Sequence, residues 1–121
     1  MRVIIAGSRN IEDYARLEKV VKESGYDITT VISGTAFGVD RMGERWAHEH
    51  KIPIERFPAD WKKYGKQAGY LRNVQMAEVA DALIALWDGE SKGTRHMIDI
   101  ATRKNLRVFA DCKPNPANPG A

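Results

Sequence analysis

Three short segments of the chain combine glycine with hydroxyl and cationic side chains, the residue types that hold a phosphate group. The first is Gly7-Ser8-Arg9, the second runs from Ser33 to Asp40, and the third from Asp88 to Arg95. Glycine lets backbone N–H groups approach an anion closely, while hydroxyl and cationic groups add hydrogen bonds and charge. The three segments therefore predict a phosphate-binding site if the fold brings them together.

The second segment is the most informative because it lies between an apolar run at 28–32 and a helical pattern that begins at Val39. The N-terminus of a helix after a glycine-bearing turn attracts anions through free N–H groups and the helix dipole. Asp40 has two interpretations, a contact to the ligand's sugar or an acid favoured by the same dipole. The ligand-binding residues predicted in the three segments are Gly7, Ser8, Arg9, Ser33, Gly34, Thr35, Gly38, Asp40, Asp88, Gly89, Gly93 and Thr94.

Strands and helices must alternate for these segments to meet. Apolar runs predict strands at 3–6, 30–33, 54–57, 82–87 and 107–110. Helical spacing occurs at 12–24, 39–50, 68–80 and 94–104, and residues 58–69 are predicted as a long connector. This alternation predicts a single α/β, Rossmann-like three-layer domain over residues 1–112, with a five-stranded mainly parallel sheet of order 3-2-1-4-5. Ligands of such sheets bind beyond the carboxyl ends of the strands.

Two helices have clear signals. Asn10 is predicted as the N-cap of the first helix, with Asp13 three residues later as in a capping box, and Gly25 ends that helix. Asp40 is assigned to the polar positions of the second helix. Its apolar face is formed by Val39, Met42, Gly43, Trp46 and Ala47.

Composition excludes several classes of protein. The chain has 121 residues, 43% hydrophobic, with a net charge of +3 and one cysteine, which is typical of one soluble domain without a disulfide framework or cysteine-based zinc site. His48 and His50 are two residues apart on a helix and cannot share a metal, so we expect no metal site. We also expect no cofactor. P-loop and dinucleotide fingerprints are missing from the sequence.

The sequence contains no transmembrane or signal segment, so we expect a cytoplasmic protein without a membrane partner. Residues 113–121, with three prolines, are predicted as a Pro-rich tail.

The motifs together resemble the SLOG superfamily, in particular its YspA/YpsA-related branch of bacteria and phages. The resemblance rests on Gly7-Ser8-Arg9, 33–41, 57–61, Arg72-Asn73 and the stretch from Trp87 to Thr94. It implies a Rossmann-like domain that binds or senses a nucleotide or nucleotide-derived phosphorylated ribosyl ligand, often as a homodimer. It also implies that Arg72 contacts the ligand.

Two related groups define the alternatives. Lonely Guy phosphoribohydrolases are N-glycosidases of nucleoside monophosphates and carry catalytic glutamates after a Gly-Thr pair. Here Arg95, His96 and Met97 follow Gly93-Thr94, so hydrolysis is left open, with Arg72 and Asp88 as candidate catalytic residues.

The second alternative is single-stranded nucleic acid binding, as in the DNA-processing protein A family, whose Gly-Ser-Arg and Ser-Gly-x-Ala-x-Gly-x-Asp turns the chain resembles. Trp61 and Tyr64 lie among lysines and would suit stacking on bases, although we expect them to pack the long connector. Trp87 either stacks on a base or packs against a helix. His96 is expected to be structural or on the surface.

Overall fold

A five-stranded parallel sheet forms the centre of the molecule. The computed structural model describes residues 1–113, so the predicted tail lies outside the described residues except for Lys113. The strands are β1 (Arg2–Gly7), β2 (Thr30–Ser33), β3 (Ile54–Arg56), β4 (Ala82–Trp87) and β5 (Arg107–Cys112). They pair in the order β3-β2-β1-β4-β5, and every described pairing is parallel, which confirms the predicted fold class and strand order.

Helices cover both faces of the sheet. They are α1 (Tyr14–Ser24), α2 (Val39–Glu49), α3 (Trp61–Tyr64), α4 (Ala68–Val79) and α5 (Lys92–Arg103). The short α3 and the 3-10 turn Gly65–Gln67 that follows it occupy the predicted connector and were not expected from the sequence. Asp60 starts α3, since its carboxylate accepts a hydrogen bond from the Lys63 N–H at 3.1 Å. Among residues 1–113, none of the helices combines the length and the hydrophobicity that spanning a lipid bilayer requires.

Two hydrophobic cores lie on opposite faces of the sheet. Val3 and Ile5 of β1 face α1 and α2, whereas the alternating Ile4 and Ala6 face α4 and α5. The central strands are therefore buried on both sides, which explains why their sequences are continuously apolar rather than alternating. Gly43 of α2 allows close packing on β1, because a β-carbon there would lie 2.7 Å from an Ile5 methyl group.

The predicted start of α1 was wrong. Asp13 is the N-cap, and its carboxylate accepts a hydrogen bond from the Arg16 N–H at 3.1 Å. Ile11 is only 4% exposed, so the chain inserts this side chain into the core before the helix can begin. The predicted end is confirmed, because Gly25 adopts the left-handed conformation with φ of 68°.

Asp40, assigned to the polar positions of α2, is buried in the structure and only 5% exposed. Asp40 lies in the first turn of α2, where side chains lean past the helix N-terminus. It therefore lies over the carboxyl edge of the sheet instead of facing solvent.

Replacement of the observed N-cap tests the start of α1. Asp13→Ala removes the acceptor of the Arg16 N–H, so the free energy of unfolding is expected to fall by about 1 kcal/mol. Asn10→Ala tests the cap that the sequence predicted and should cost less, because Asn10 caps no helix and, among the described residues, its side chain hydrogen-bonds only the partly exposed Asp88. Urea denaturation measures both. An effect confined to the Asn10 variant would restore the original prediction.

Candidate functional site

A cavity of about 210 Å³ opens at the carboxyl edge of the sheet. It lies where the strand order reverses, since the chain continues from β1 to β2 on one side and later adds β4 on the other. Six predicted ligand-binding residues line it: Gly7, Arg9, Asp40, Arg72, Gly93 and Thr94. The other lining residues come mainly from α3, α4 and α5: Ala6, Ala36, Trp61, Lys66, Gly69, Tyr70, Asn73, Met76, Ser91 and Met97.

Arg72 of α4 is held in place by two hydrogen bonds. Its Nη1 donates to the Gly34 carbonyl, and its Nε donates to the Asn73 Oδ1 at 3.1 Å. Partial burial lowers the pKa of Arg72, an effect that the charge of Asp40 opposes and that of Arg9 reinforces. The guanidinium is therefore a fixed cation at the cavity wall.

Gly34 is the residue that makes this arrangement possible. A β-carbon at this position would lie 2.7 Å from the Arg72 Nη1 and 2.8 Å from the Asp40 Oδ2. Any larger residue would have to push the guanidinium or the carboxyl group aside. Gly34 thus lies between the cation and the acid of the site without lining the cavity itself.

Asp40 is the single carboxylate among the described residues that line the cavity. Its Oδ2 accepts a hydrogen bond from the Ala36 N–H at 3.2 Å. Burial raises the pKa of Asp40 to about 6, although the Ala36 hydrogen bond and the charge of Arg72 act in the opposite direction. This carboxyl group can therefore exchange a proton near neutral pH.

A hydrogen-bonded network joins α4 to α5. Because the Asn73 Oδ1 accepts from Arg72, its amide nitrogen is oriented to donate, to the Gly93 carbonyl at 3.3 Å and the His96 Nδ1 at 3.2 Å. Neutral His96 therefore carries its proton on Nε2. Burial lowers the pKa of His96, which favours this neutral form. The His96 ring also packs edge-on against Tyr70, with 4.6 Å between centroids.

The N-terminus of α5 contributes backbone donors. Ser91 caps the helix, and its Oγ accepts from the Thr94 N–H at 3.4 Å and from the Thr94 hydroxyl at 3.0 Å. Gly93 is exposed, and a β-carbon on it would have nothing within 4 Å. The positive end of the helix dipole and the first-turn N–H groups therefore adjoin the cavity.

The remaining predicted residues lie around the cavity and do not line it. They are Ser8, Ser33, Gly34, Thr35, Gly38, Asp88 and Gly89. Gly38, with φ of 76°, joins the first two loops, because a β-carbon there would lie 2.5 Å from the Arg9 carbonyl oxygen. Thr35 also has a positive φ, of 64°, which is rare for a β-branched residue.

Ser8, Ser33 and Asp88 form hydrogen bonds within the protein. The Ser8 Oγ accepts from the Asp88 N–H at 3.1 Å, and the Ser33 hydroxyl donates to Glu44 at 2.6 Å. Partial burial opposes ionisation of Asp88, but hydrogen bonds, foremost those from the Glu90 and Ser91 N–H groups, outweigh it and keep its pKa below the ordinary value. In the described structure these residues stabilise the loops.

The sequence did not identify Trp61, Lys66 and Tyr70 as cavity residues. Trp61 is 52% exposed and lies against Gly69, so it packs on the connector with only part of its ring; Tyr64, in the same helix, is 42% exposed. The signal for Trp61 was an aromatic residue among lysines. Trp87 lies outside the cavity lining, and its Nε1 donates to the Ser91 carbonyl at 3.0 Å, as expected for packing rather than for stacking on a ligand.

The comparisons with known proteins agree with these motifs. The sequence model of the family described as "YAcAr: YspA, cpYpsA-related SLOG family" matches residues 1–64. The chain is also 35% identical over 118 residues to the Gene 61 protein of Mycobacterium phage D29. The aligned region covers 89% of this chain and 94% of that protein. The chain belongs to the YspA/cpYpsA-related SLOG family.

A solved structure supports the fold of this SLOG domain. DNA processing protein A (DprA) from Streptococcus pneumoniae superposes with a TM-score of 0.74 over 90% of this chain, at 17% sequence identity. The chain spans only 49% of the length of that protein. The similarity establishes a shared fold.

Within residues 1–113 of the SLOG domain, no group of three or more His, Cys, Asp or Glu residues is placed to hold a metal ion.

The pH dependence of stability tests the environment of Asp40. Its pKa rises from 3.8 to about 6 on folding, so the stability gained by protonation is fully present below pH 3.8 and is lost as the pH rises through 6. The wild type should lose up to about 3 kcal/mol more than Asp40→Asn between about pH 4 and pH 7. Urea denaturation across this range measures the free energy of unfolding of both proteins. His96 titrates in both, so its contribution cancels when the two are subtracted. Parallel curves would contradict the raised pKa.

Proposed function

We propose that the cavity binds a nucleotide or a related phosphorylated ribosyl compound. The observation that carries this proposal is the convergence of Arg9, Lys66 and Arg72 with the N-terminus of α5 around one cavity. Three cations and a helix dipole favour an anion, and a single buried carboxyl group, that of Asp40, opposes them. A phosphate group satisfies both the charge and the free N–H groups.

Different lining residues would contact the phosphate and the sugar of this ligand. The phosphate would lie against Gly93, Thr94, Arg9 and Arg72, and Asp40 would accept a hydrogen bond from a sugar hydroxyl. Asp88 is less suited to the sugar, since its Oδ1 already accepts from Glu90 and Ser91 at 2.8 and 2.9 Å. The role is binding or sensing. The family resemblance adds a cytoplasmic homodimer to this proposal.

Calorimetric titration with nucleoside mono- and diphosphates tests the proposal. We expect micromolar binding by the wild type and a loss of about 10- to 100-fold in Arg72→Ala, because a charge-assisted hydrogen bond to phosphate is removed. Arg103→Ala, at the far end of α5, is the matched control and should bind normally. Gly93→Ala should fold at least as stably, because alanine favours the helix and its methyl group meets no atom within 4 Å. It should bind more weakly, because the methyl group adds bulk at a residue that lines the cavity.

Absence of nucleotide binding in the wild type would overturn the proposal. So would equal affinities of Arg72→Ala and Arg103→Ala.

Single-stranded nucleic acid binding is a further candidate, favoured by the exposed Trp61 and Tyr64 among Lys62, Lys63 and Lys66. The same titration with a single-stranded oligonucleotide tests it. If the protein binds the oligonucleotide but no mononucleotide, and the affinity falls steeply as salt is added, strand binding replaces mononucleotide binding as the proposed function.

Hydrolysis of the N-glycosidic bond is the second candidate, and the position of Asp40 favours it. Such hydrolysis needs a carboxylate near the ribose that activates water for attack at C1′ while the bond to the base breaks. Asp40 lines the cavity and its pKa of about 6 suits proton transfer, whereas the missing glutamates after Thr94 argue against the activity.

Release of free base from nucleoside monophosphates decides between binding and hydrolysis. If the domain is a hydrolase, Asp40→Asn abolishes release while Asp88→Asn largely retains it, because only Asp40 of the two lines the cavity. Chromatography of the reaction mixture measures the free base. Binding without release in the wild type supports the sensing role.

A further inference from the structure

Two aromatic side chains at the cavity lie beside its cationic wall. Trp61 and Tyr70 both line the cavity, yet they are 52% and 43% exposed. Exposed aromatic rings are costly to hydrate and are favourable surfaces for stacking on a nucleobase. Because Arg9 and Arg72 line the same cavity, these two rings differ from single apolar residues exposed elsewhere on the surface.

The size of the cavity determines where a base could lie. Its volume of about 210 Å³ is below the range of roughly 300–1,000 Å³ that is typical of sites for drug-sized ligands. If the phosphate and sugar lie beside Arg72 and the buried Asp40, a base must lie at the exposed mouth of the cavity. The exposed faces of Trp61 and Tyr70 are located there.

The geometry around Gly69 links the aromatic mouth to the cationic wall. A β-carbon on Gly69 would lie 3.4 Å from the Trp61 Cη2 and 3.8 Å from the Arg72 Nη2. The indole and the guanidinium therefore flank the same small residue at the start of α4. One ligand can contact both groups at once.

The two rings differ in how they are held. Tyr70 is held by its T-shaped contact with the His96 ring, which is held in turn by Asn73. Trp61 belongs to α3, in which every residue is exposed and which packs chiefly on the adjoining turn and on α4. Tyr70 thus offers a preorganised surface, and Trp61 a ring that can adjust to the ligand.

We propose that Trp61 and Tyr70 form the base subsite of the cavity, so that the ligand is a nucleotide and not a sugar phosphate that lacks a base. This inference rests on the proposed function and specifies its ligand class. The contacts are made by ring faces, which stack on any nucleobase. The subsite therefore accepts both purines and pyrimidines and distinguishes nucleotides from base-free ribosyl phosphates.

Calorimetric titrations with the four ribonucleoside 5′-monophosphates and with ribose 5-phosphate test the base subsite. The wild type should bind purine and pyrimidine nucleotides alike about 10- to 100-fold more tightly than ribose 5-phosphate, the range expected for stacking of one base. Trp61→Ala should lose most of this preference while its affinity for ribose 5-phosphate stays unchanged. Trp61→Phe keeps a ring and should retain most of the preference.

Tyr64→Ala is the matched control, since Tyr64 is an exposed aromatic residue of the same helix that does not line the cavity. Equal affinities of the wild type for nucleotides and ribose 5-phosphate would overturn the base subsite and leave the phosphate site intact. A loss of both ligands in Trp61→Ala would instead make Trp61 a support for the cavity wall. If neither ligand class binds the wild type, the proposed function itself fails.

Discussion

The hydrogen bond from the Arg72 guanidinium to the Gly34 carbonyl is the contact on which the site depends. It connects α4, which packs on one face of the sheet, to the loop that leads into α2 on the other face. It also fixes Arg72 so that its Nε orients Asn73, which in turn sets the donor direction toward Gly93 and His96. The absence of a side chain at residue 34 is the condition for this chain of contacts.

Polar residues at the carboxyl edge of the sheet have two different tasks. The hydroxyl groups of Ser8 and Ser33 are buried and hydrogen-bonded within the protein, to Asp88 and Glu44 respectively. Arg9 and Lys66 are exposed and line the cavity instead. Rigid support by the first group keeps the second in position, as a binding site requires.

The sequence predicted the sheet because strands buried on both faces leave continuous apolar runs, as β1 and β4 do. It failed at the start of α1 because Asn10 and Asp13 are both good N-caps, and the burial of Ile11 decides between them. It named Asp40 as a ligand contact but did not predict its burial, because a helical face describes the middle of a helix and not its first turn. It missed Trp61 because the path of residues 58–69 follows from contacts with α4, which hydrophobic periodicity does not encode.

The position of the cavity between the two hydrophobic cores has a consequence for folding cooperativity. Asp40 belongs to the layer of α1 and α2, whereas Arg72 and Gly93 belong to the layer of α4 and α5. A molecule bound to all three adds a second bridge between the layers to the one that the Arg72–Gly34 hydrogen bond already makes. Its binding free energy would then oppose the separate opening of either layer. Amide hydrogen exchange would therefore become slower in both layers when the molecule is bound.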